Sequence, residues 1–160
     1  MKQLLSALLA IALFISCSKD KDEVTDYTAQ NEKEITDYLA ANNLTAQRTD
    51  SGLYYIIDKP GEGDNPTINS NVTVIYKGYF TDGTVFDETD KDVKEGEEKK
   101  GVSFGLNQVI QGWKEGIPFF KPGGEGKLLI PSHLGYGSKD YKSIPGGSVL
   151  IFDITLKSVN

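Results

Sequence analysis

Between Val72 and Phe80 apolar and polar residues alternate: Val72, Val74, Tyr76 and Phe80 share one face, and Thr73, Ile75, Lys77 and Tyr79 share the other. A period of two is that of a β-strand. Thr81-Asp82-Gly83-Thr84 follows, and Asp-Gly at its centre predicts a hairpin turn, with Val85-Phe86-Asp87 as the returning strand. Residues 148–158 form the longest such pattern. Leu150, Phe152, Ile154 and Leu156 are all apolar, while Val149, Ile151, Asp153, Thr155 and Lys157 are mixed. One dry face and one half-wet face predict an antiparallel sheet that covers a single helix. Further strands are predicted at residues 53–57 and 126–130, separated by turn-rich stretches at 60–66, 121–124 and 131–147.

Two segments carry the helical period. Residues 25–43 place Ile35, Tyr38, Leu39 and Asn42 on one stripe, with Thr25 or Asp26 to cap the start and Asn42-Asn43 to end it. So narrow a stripe predicts a helix that lies on the following domain or acts as a spacer; a dimerisation helix is the alternative. The second helix is short. In Phe104-Gly-Leu-Asn-Gln-Val-Ile-Gln-Gly-Trp113 a strand ends, the chain bends, and a helix starts that Pro118 limits. This stretch holds the single tryptophan. Phe119-Phe120 after it is expected in the core. Residues 88–101 have no apolar face and predict a solvent-exposed loop between two strands.

The first residues have the form of a targeting segment. Lys2 precedes an apolar run from Leu4 to Ile15, broken by Ser6 and too short for a comfortable membrane span. The run ends at Ser16-Cys17, and Cys17 is the single cysteine. This resembles a bacterial lipoprotein signal: cleavage before Cys17, then lipidation of that residue and attachment to a membrane. An ordinary signal peptide with an incidental cysteine is the alternative. The charged residues 18–23 read as a flexible spacer and also resemble an acidic surface-export tag. The expected organisation is a signal peptide at 1–16, a tether with helix at 17–50, and one domain at 51–160. The location that follows is a bacterial cell envelope, lipid-anchored at the outer membrane.

Composition excludes several functions. A formal charge of −6 with no Lys/Arg block argues against a nucleic-acid partner. The single histidine, His133, sits in a predicted loop and reads as a surface residue; with no Gly-x-Ser-x-Gly elbow, no nucleophilic triad is expected. Metal ligands of the His/Cys type are too few for a zinc site, and no P-loop is present. No metal and no cofactor are therefore expected. What remains is an aromatic set with a carboxylate and a phenol, which suits a reaction that breaks no covalent bond.

Six motifs occur in order: Val74-Ile75-Tyr76-Lys77-Gly78, Asp82-Gly-Thr-Val-Phe86-Asp87, Val109-Ile110-Gln-Gly-Trp113-Lys-Glu-Gly116, Ile130-Pro-Ser-His-Leu-Gly-Tyr136-Gly137, Ile144-Pro145 and Leu150-Ile-Phe152-Asp153. Together they resemble the FKBP-type peptidyl-prolyl cis-trans isomerases over residues 53–159, about two-thirds of the chain. The resemblance implies an α+β fold, an antiparallel half-barrel sheet wrapped around a short α-helix. It implies proline-containing polypeptides as partners and, for the expected monomer, isomerisation of exported proteins. A peptide-binding module or chaperone with little turnover is the alternative.

By the same resemblance Asp87 and Tyr136 are the catalytic candidates. Trp113 is the floor of a proline pocket, Tyr76, Phe86, Val109, Ile110 and Phe152 are its walls, and Ile144 closes the loop side. The Ile110 N–H would donate to a substrate carbonyl. Core packing is the competing reading for each wall residue. The chain departs from the family pattern in three places. A wall aromatic expected before Phe104 falls among residues 97–101, the insertion after Asp87 is longer, and Ile144-Pro145 is followed by two glycines.

Overall fold

The computed structural model describes residues 25–94 and 96–160. The expected signal segment and Cys17 lie outside the described residues. An N-terminal helix α1 (Thr28–Ala41) leads into β1 (Gln47–Arg48), β2 (Tyr54–Lys59), β3 (Asn71–Tyr79), β4 (Val85–Glu88), β5 (Val102–Gly105), helix α2 (Gln111–Gly116), β6 (Gly124–Ile130) and β7 (Leu150–Val159). The strands form one antiparallel sheet in the order β1-β2-β6-β7-β3-β4. Strands β4 and β5 share β3: β5 pairs with Asn71–Val74 and β4 with Lys77–Tyr79. The expected architecture, an antiparallel sheet around a short helix, is the one observed.

The period-two pattern explains which face meets α2. Val72 and Val74 of β3, Leu128 and Ile130 of β6, and Leu150, Phe152, Ile154 and Leu156 of β7 are buried against Trp113, Ile117 and Phe120. Each such side chain contributes about 1.5–3 kcal/mol of hydrophobic stabilisation. Two glycines let the helix settle on the sheet. A Cβ at Gly112 would meet Ile130 Cγ2 at 2.5 Å, and one at Gly116 would meet Leu128 Cδ1 at 2.7 Å. Spaced four apart, they place one side of α2 directly on β6.

The opposite face carries α1. Ile35 and Leu39 pack on Tyr54, Leu129, Val149 and Ile151, the outward residues of β2, β6 and β7 and of the loop before β7. The half-wet face of the last strand is thus dry where α1 covers it and polar at Asp153. The start of α1 is tied by Asp26, whose carboxylate accepts the Thr28 N–H at 2.9 Å. Its end falls at Asn42, as expected, and Asn42 does not join the buried stripe. Asn42 is exposed and turns its carboxamide back to the Tyr38 carbonyl (2.8 Å), so it terminates the helix rather than extending the stripe.

Phe119 and Phe120, both expected in the core, part company. Phe120 is fully buried, but Phe119 is 37% exposed and stacks on Tyr55 with ring centroids 4.2 Å apart. The tight turn at Ile117–Phe119 directs consecutive side chains to different sides. The charged segment between β4 and β5 is exposed over most of its described length. Its ends are closed by Asp90, which accepts the N–H groups of Lys100 (3.2 Å) and Gly101 (2.8 Å).

Candidate functional site

A cavity of about 630 Å³ opens at one edge of the inner core. Tyr76 from β3, Phe86 and Asp87 from β4, Phe152 from β7, and Val109, Ile110 and Trp113 from the entry to α2 all line it. Tyr136 and Ile144 reach it from the long connection between β6 and β7. The nine candidate side chains named from the sequence therefore meet at one place.

The indole of Trp113 is 5% exposed and is gripped by three rings. Tyr76 and Phe152 meet it edge-on, both at 5.1 Å, and Phe104 lies tilted at 5.3 Å. Phe86 meets Phe152 edge-on at 5.5 Å. Edge-to-face contacts of this kind add about 0.5–1.5 kcal/mol per pair beyond burial, so the wall is rigid. The Trp113 Nε1 is buried with no partner among the described residues, and the ring is held by its faces and edges alone.

One side of this dry wall is charged. The Tyr76 hydroxyl donates to Asp87 Oδ2 at 2.5 Å, and Asp87 Oδ1 accepts the Glu88 N–H at 3.0 Å. Lys91 Nζ stands 3.3 Å from Asp87 Oδ1. That pair is half-exposed and contributes at most about 1 kcal/mol. Burial first, and then the hydrogen bond to Asp87, push the Tyr76 phenol far above its ordinary value. It stays a proton donor across the physiological range. Thr89 fixes Tyr76 from behind: its Oγ1 accepts the Tyr76 N–H (3.1 Å) and its N–H donates to the Tyr76 carbonyl (3.0 Å).

Tyr136 is the exposed member, at 38%, and stacks nearly parallel on Tyr141 with centroids 4.5 Å apart. Its phenol is also raised, by partial burial and then by the nearby Tyr141 and Asp87. The Ile110 carbonyl accepts from Trp113 and Lys114 and so opens α2, while the Ile110 N–H is paired with no described residue. It remains a free donor beside the cavity.

The structure also adds residues. Phe104 and Val102 line the cavity, and Phe104 packs directly on Trp113, so β5 supplies wall beside residues 97–101, where the family's further aromatic is absent. Their two-residue spacing was the signal that could have found them, since side chains two apart on a strand share a face. Gln108, Tyr141, Lys142 and Ser143 complete the rim. Lys91 had no local signal, because no helix brings it to Asp87. His133 stands outside, exposed, with Nε2 2.8 Å from the Ser51 carbonyl oxygen.

Residues 63–157 match the profile of the family described as FKBP-type peptidyl-prolyl cis-trans isomerase. The chain belongs to this family. Among its relatives, the FKBP-type peptidyl-prolyl cis-trans isomerase FkpA of Buchnera aphidicola subsp. Schizaphis graminum is 47% identical over 113 residues, covering 70% of this chain and 42% of that protein. FkpA of Aeromonas hydrophila is 41% identical over 142 residues, covering 88% of this chain and 49% of its own length. The chain thus spans less than half the length of these two relatives. Among solved structures, FkpA from Escherichia coli superposes with a TM-score of 0.70 at 36% identity, over 83% of this chain and 61% of that one. A peptidyl-prolyl isomerase from Pseudomonas syringae gives 0.68 at 27% identity, over 85% and 97%.

Proposed function

We propose that this FKBP domain catalyses cis-trans isomerisation of X–Pro bonds in exported polypeptides. The observation that carries the reading is the Trp113-floored cavity, apolar on most sides, with the Asp87–Tyr76 pair and the Ile110 N–H at its edge. The uncatalysed barrier is on the order of 20 kcal/mol, because amide resonance is lost when the bond twists. The planar imide is the more charge-separated form, so a dry aromatic wall disfavours it relative to the twisted one. The proline ring enters against the Trp113 face between Tyr76, Phe86 and Phe152. The Ile110 N–H holds a substrate carbonyl on one side of the rotating bond, and the Tyr136 hydroxyl donates to another. Asp87 keeps the Tyr76 phenol in place and sets a fixed negative dipole beside the altered imide. No bond to the protein forms.

A proline-isomerisation assay on short X–Pro peptides tests this. Asp87→Leu lowers kcat/KM about tenfold or more, and Tyr136→Phe, which loses one hydrogen bond, by a smaller factor of about five. A parent protein with no rate above the spontaneous one overturns the reading in favour of a peptide-binding module. The exposed Val102 and Tyr141 would then serve as its contact rim.

The proposed organisation keeps residues 51–160 as the isomerase domain, with α1 and β1 of the preceding segment packed on it, monomeric and tethered at the bacterial outer membrane through lipidated Cys17. Acyl chains contribute about 0.8 kcal/mol per buried methylene, and more than one gives stable anchoring. Mass spectrometry of the mature N-terminus shows Cys17 carrying acyl groups; an unmodified Cys17 refutes the anchor.

A further inference from the structure

The buried polar side chains among the described residues are two, Asn31 (0% exposed) and Ser132 (5%), and they belong to one arrangement. The connection between β6 and β7, residues 131–149, carries Tyr136 and Ile144 to the cavity. Asn31 of α1 reaches both of its stems. Its Oδ1 accepts the Ser132 N–H at 2.8 Å, and its Nδ2 donates to the Gly147 carbonyl at 2.8 Å. The two stems are also joined to each other, by Gly147 N–H to the Gly137 carbonyl (2.9 Å) and Gly137 N–H to the Ser132 carbonyl (2.8 Å). Tyr27, one turn before Asn31, lies flat against Gly147, where a Cβ would come 2.5 Å from its ring; Gly147 has φ +80°. A buried carboxamide is tolerated when its partners are fixed, and a single Asn side chain can join two backbone segments in one register. The glycines at 146 and 147 would otherwise leave the second stem free to move.

We infer that Asn31 is a positioning residue for the isomerase site. It staples both stems of the 131–149 connection, sets where Tyr136 and Ile144 stand over Trp113, and makes α1 a working part of the site rather than a spacer. This rests on the isomerase reading above, and two of its readouts do not.

The test compares the parent chain with Asn31→Ala, Asn31→Ser and Leu156→Ala. Asn31→Ser leaves a short hydroxyl that cannot span both stems and buries no charge, so it serves if Asn31→Ala does not fold. Leu156→Ala weakens the core at the end of β7 away from the connection and controls for stability alone. Three quantities are measured below the melting temperatures: backbone amide exchange at the stems, Trp113-detected binding of an X–Pro peptide, and kcat/KM. In the Asn31 variants, exchange at Gly137 and Gly147 accelerates while β3 and β7 stay protected. Peptide binding weakens, and kcat/KM falls about tenfold, since a displacement of about 1 Å at a site is enough for such a loss. Leu156→Ala lowers the melting temperature and leaves all three quantities at parent values. Unchanged stem exchange in the Asn31 variants overturns the staple. Faster stem exchange with parent-like peptide binding and turnover overturns the positioning role, as does Leu156→Ala matching Asn31→Ala in every quantity. If the parent has no turnover, the isomerase reading fails by itself, and exchange together with peptide binding decides the staple.

Discussion

Leu128 and Leu129 are neighbours in β6, both fully buried, and they belong to different clusters. Leu128 faces α2 in a continuous apolar core that opens at one edge into the aromatic cavity. Leu129 faces α1 in a small cluster bordered by polar ties. Tyr54 donates to Glu32 Oε1 at 2.6 Å, Arg48 Nε sits 3.0 Å from the same oxygen, and Tyr79 donates to Asp153 at 2.9 Å. Lys127 Nζ stands 2.5 Å from that Asp153 oxygen, and Thr81 donates to Glu34 at 2.6 Å. The inner face is specified by volume and the outer face by hydrogen-bond pairing. Shape complementarity builds a rigid wall, whereas pairing fixes register between segments distant in sequence.

Substitutions can separate the two. The largest loss falls on the inner face: Phe120→Ala opens a cavity where no neighbour can collapse and costs about 3–5 kcal/mol. Ile35→Ala on the outer face costs less, about 2–3 kcal/mol, because α1 can settle toward the sheet. Denaturant unfolding measures both. Equal losses would show that the faces form one undivided core and would break the comparison. The smallest effect is a pH dependence. Burial, then the contacts with Tyr38 and Asp153, raise the Tyr79 phenol above its ordinary value. A raised folded value means this contribution is full below the unfolded value of about 10 and declines as pH rises from there through the folded one. Tyr79→Phe therefore flattens the alkaline fall in melting temperature. A slope identical to the parent's would remove Tyr79 from the polar ties.

Much of the inner face was legible because strand periodicity reports burial on one side. The alternation at 72–80 and 150–156 named the residues that meet α2, and the ordered motifs named nine that meet at the cavity. Lys91 and Tyr141 stayed hidden because neither has a local signature. Lys91 reaches Asp87 across an irregular segment, and Tyr141 stacks on Tyr136 only once the connection from β6 is folded. Phe119 looks like Phe120 in the sequence and differs only by the direction of a turn. Asn31 continues the stripe of Ile35 and Leu39 one turn back, but nothing local names the partners of its carboxamide.

From the amino-acid order alone follow the strands other than β1, the short helix under them, the aromatic and acidic residues of the cavity and the family. These depend on periodicities of two and 3.6 and on short motifs, which are properties of neighbouring residues. The tertiary structure alone decided between a covering α1 and a spacer, stacked Tyr141 on Tyr136, and made Asn31 join Ser132 to Gly147 across 101 and 116 positions. Contacts at such separations depend on where whole elements pack, and no local pattern encodes the partner of a buried carboxamide.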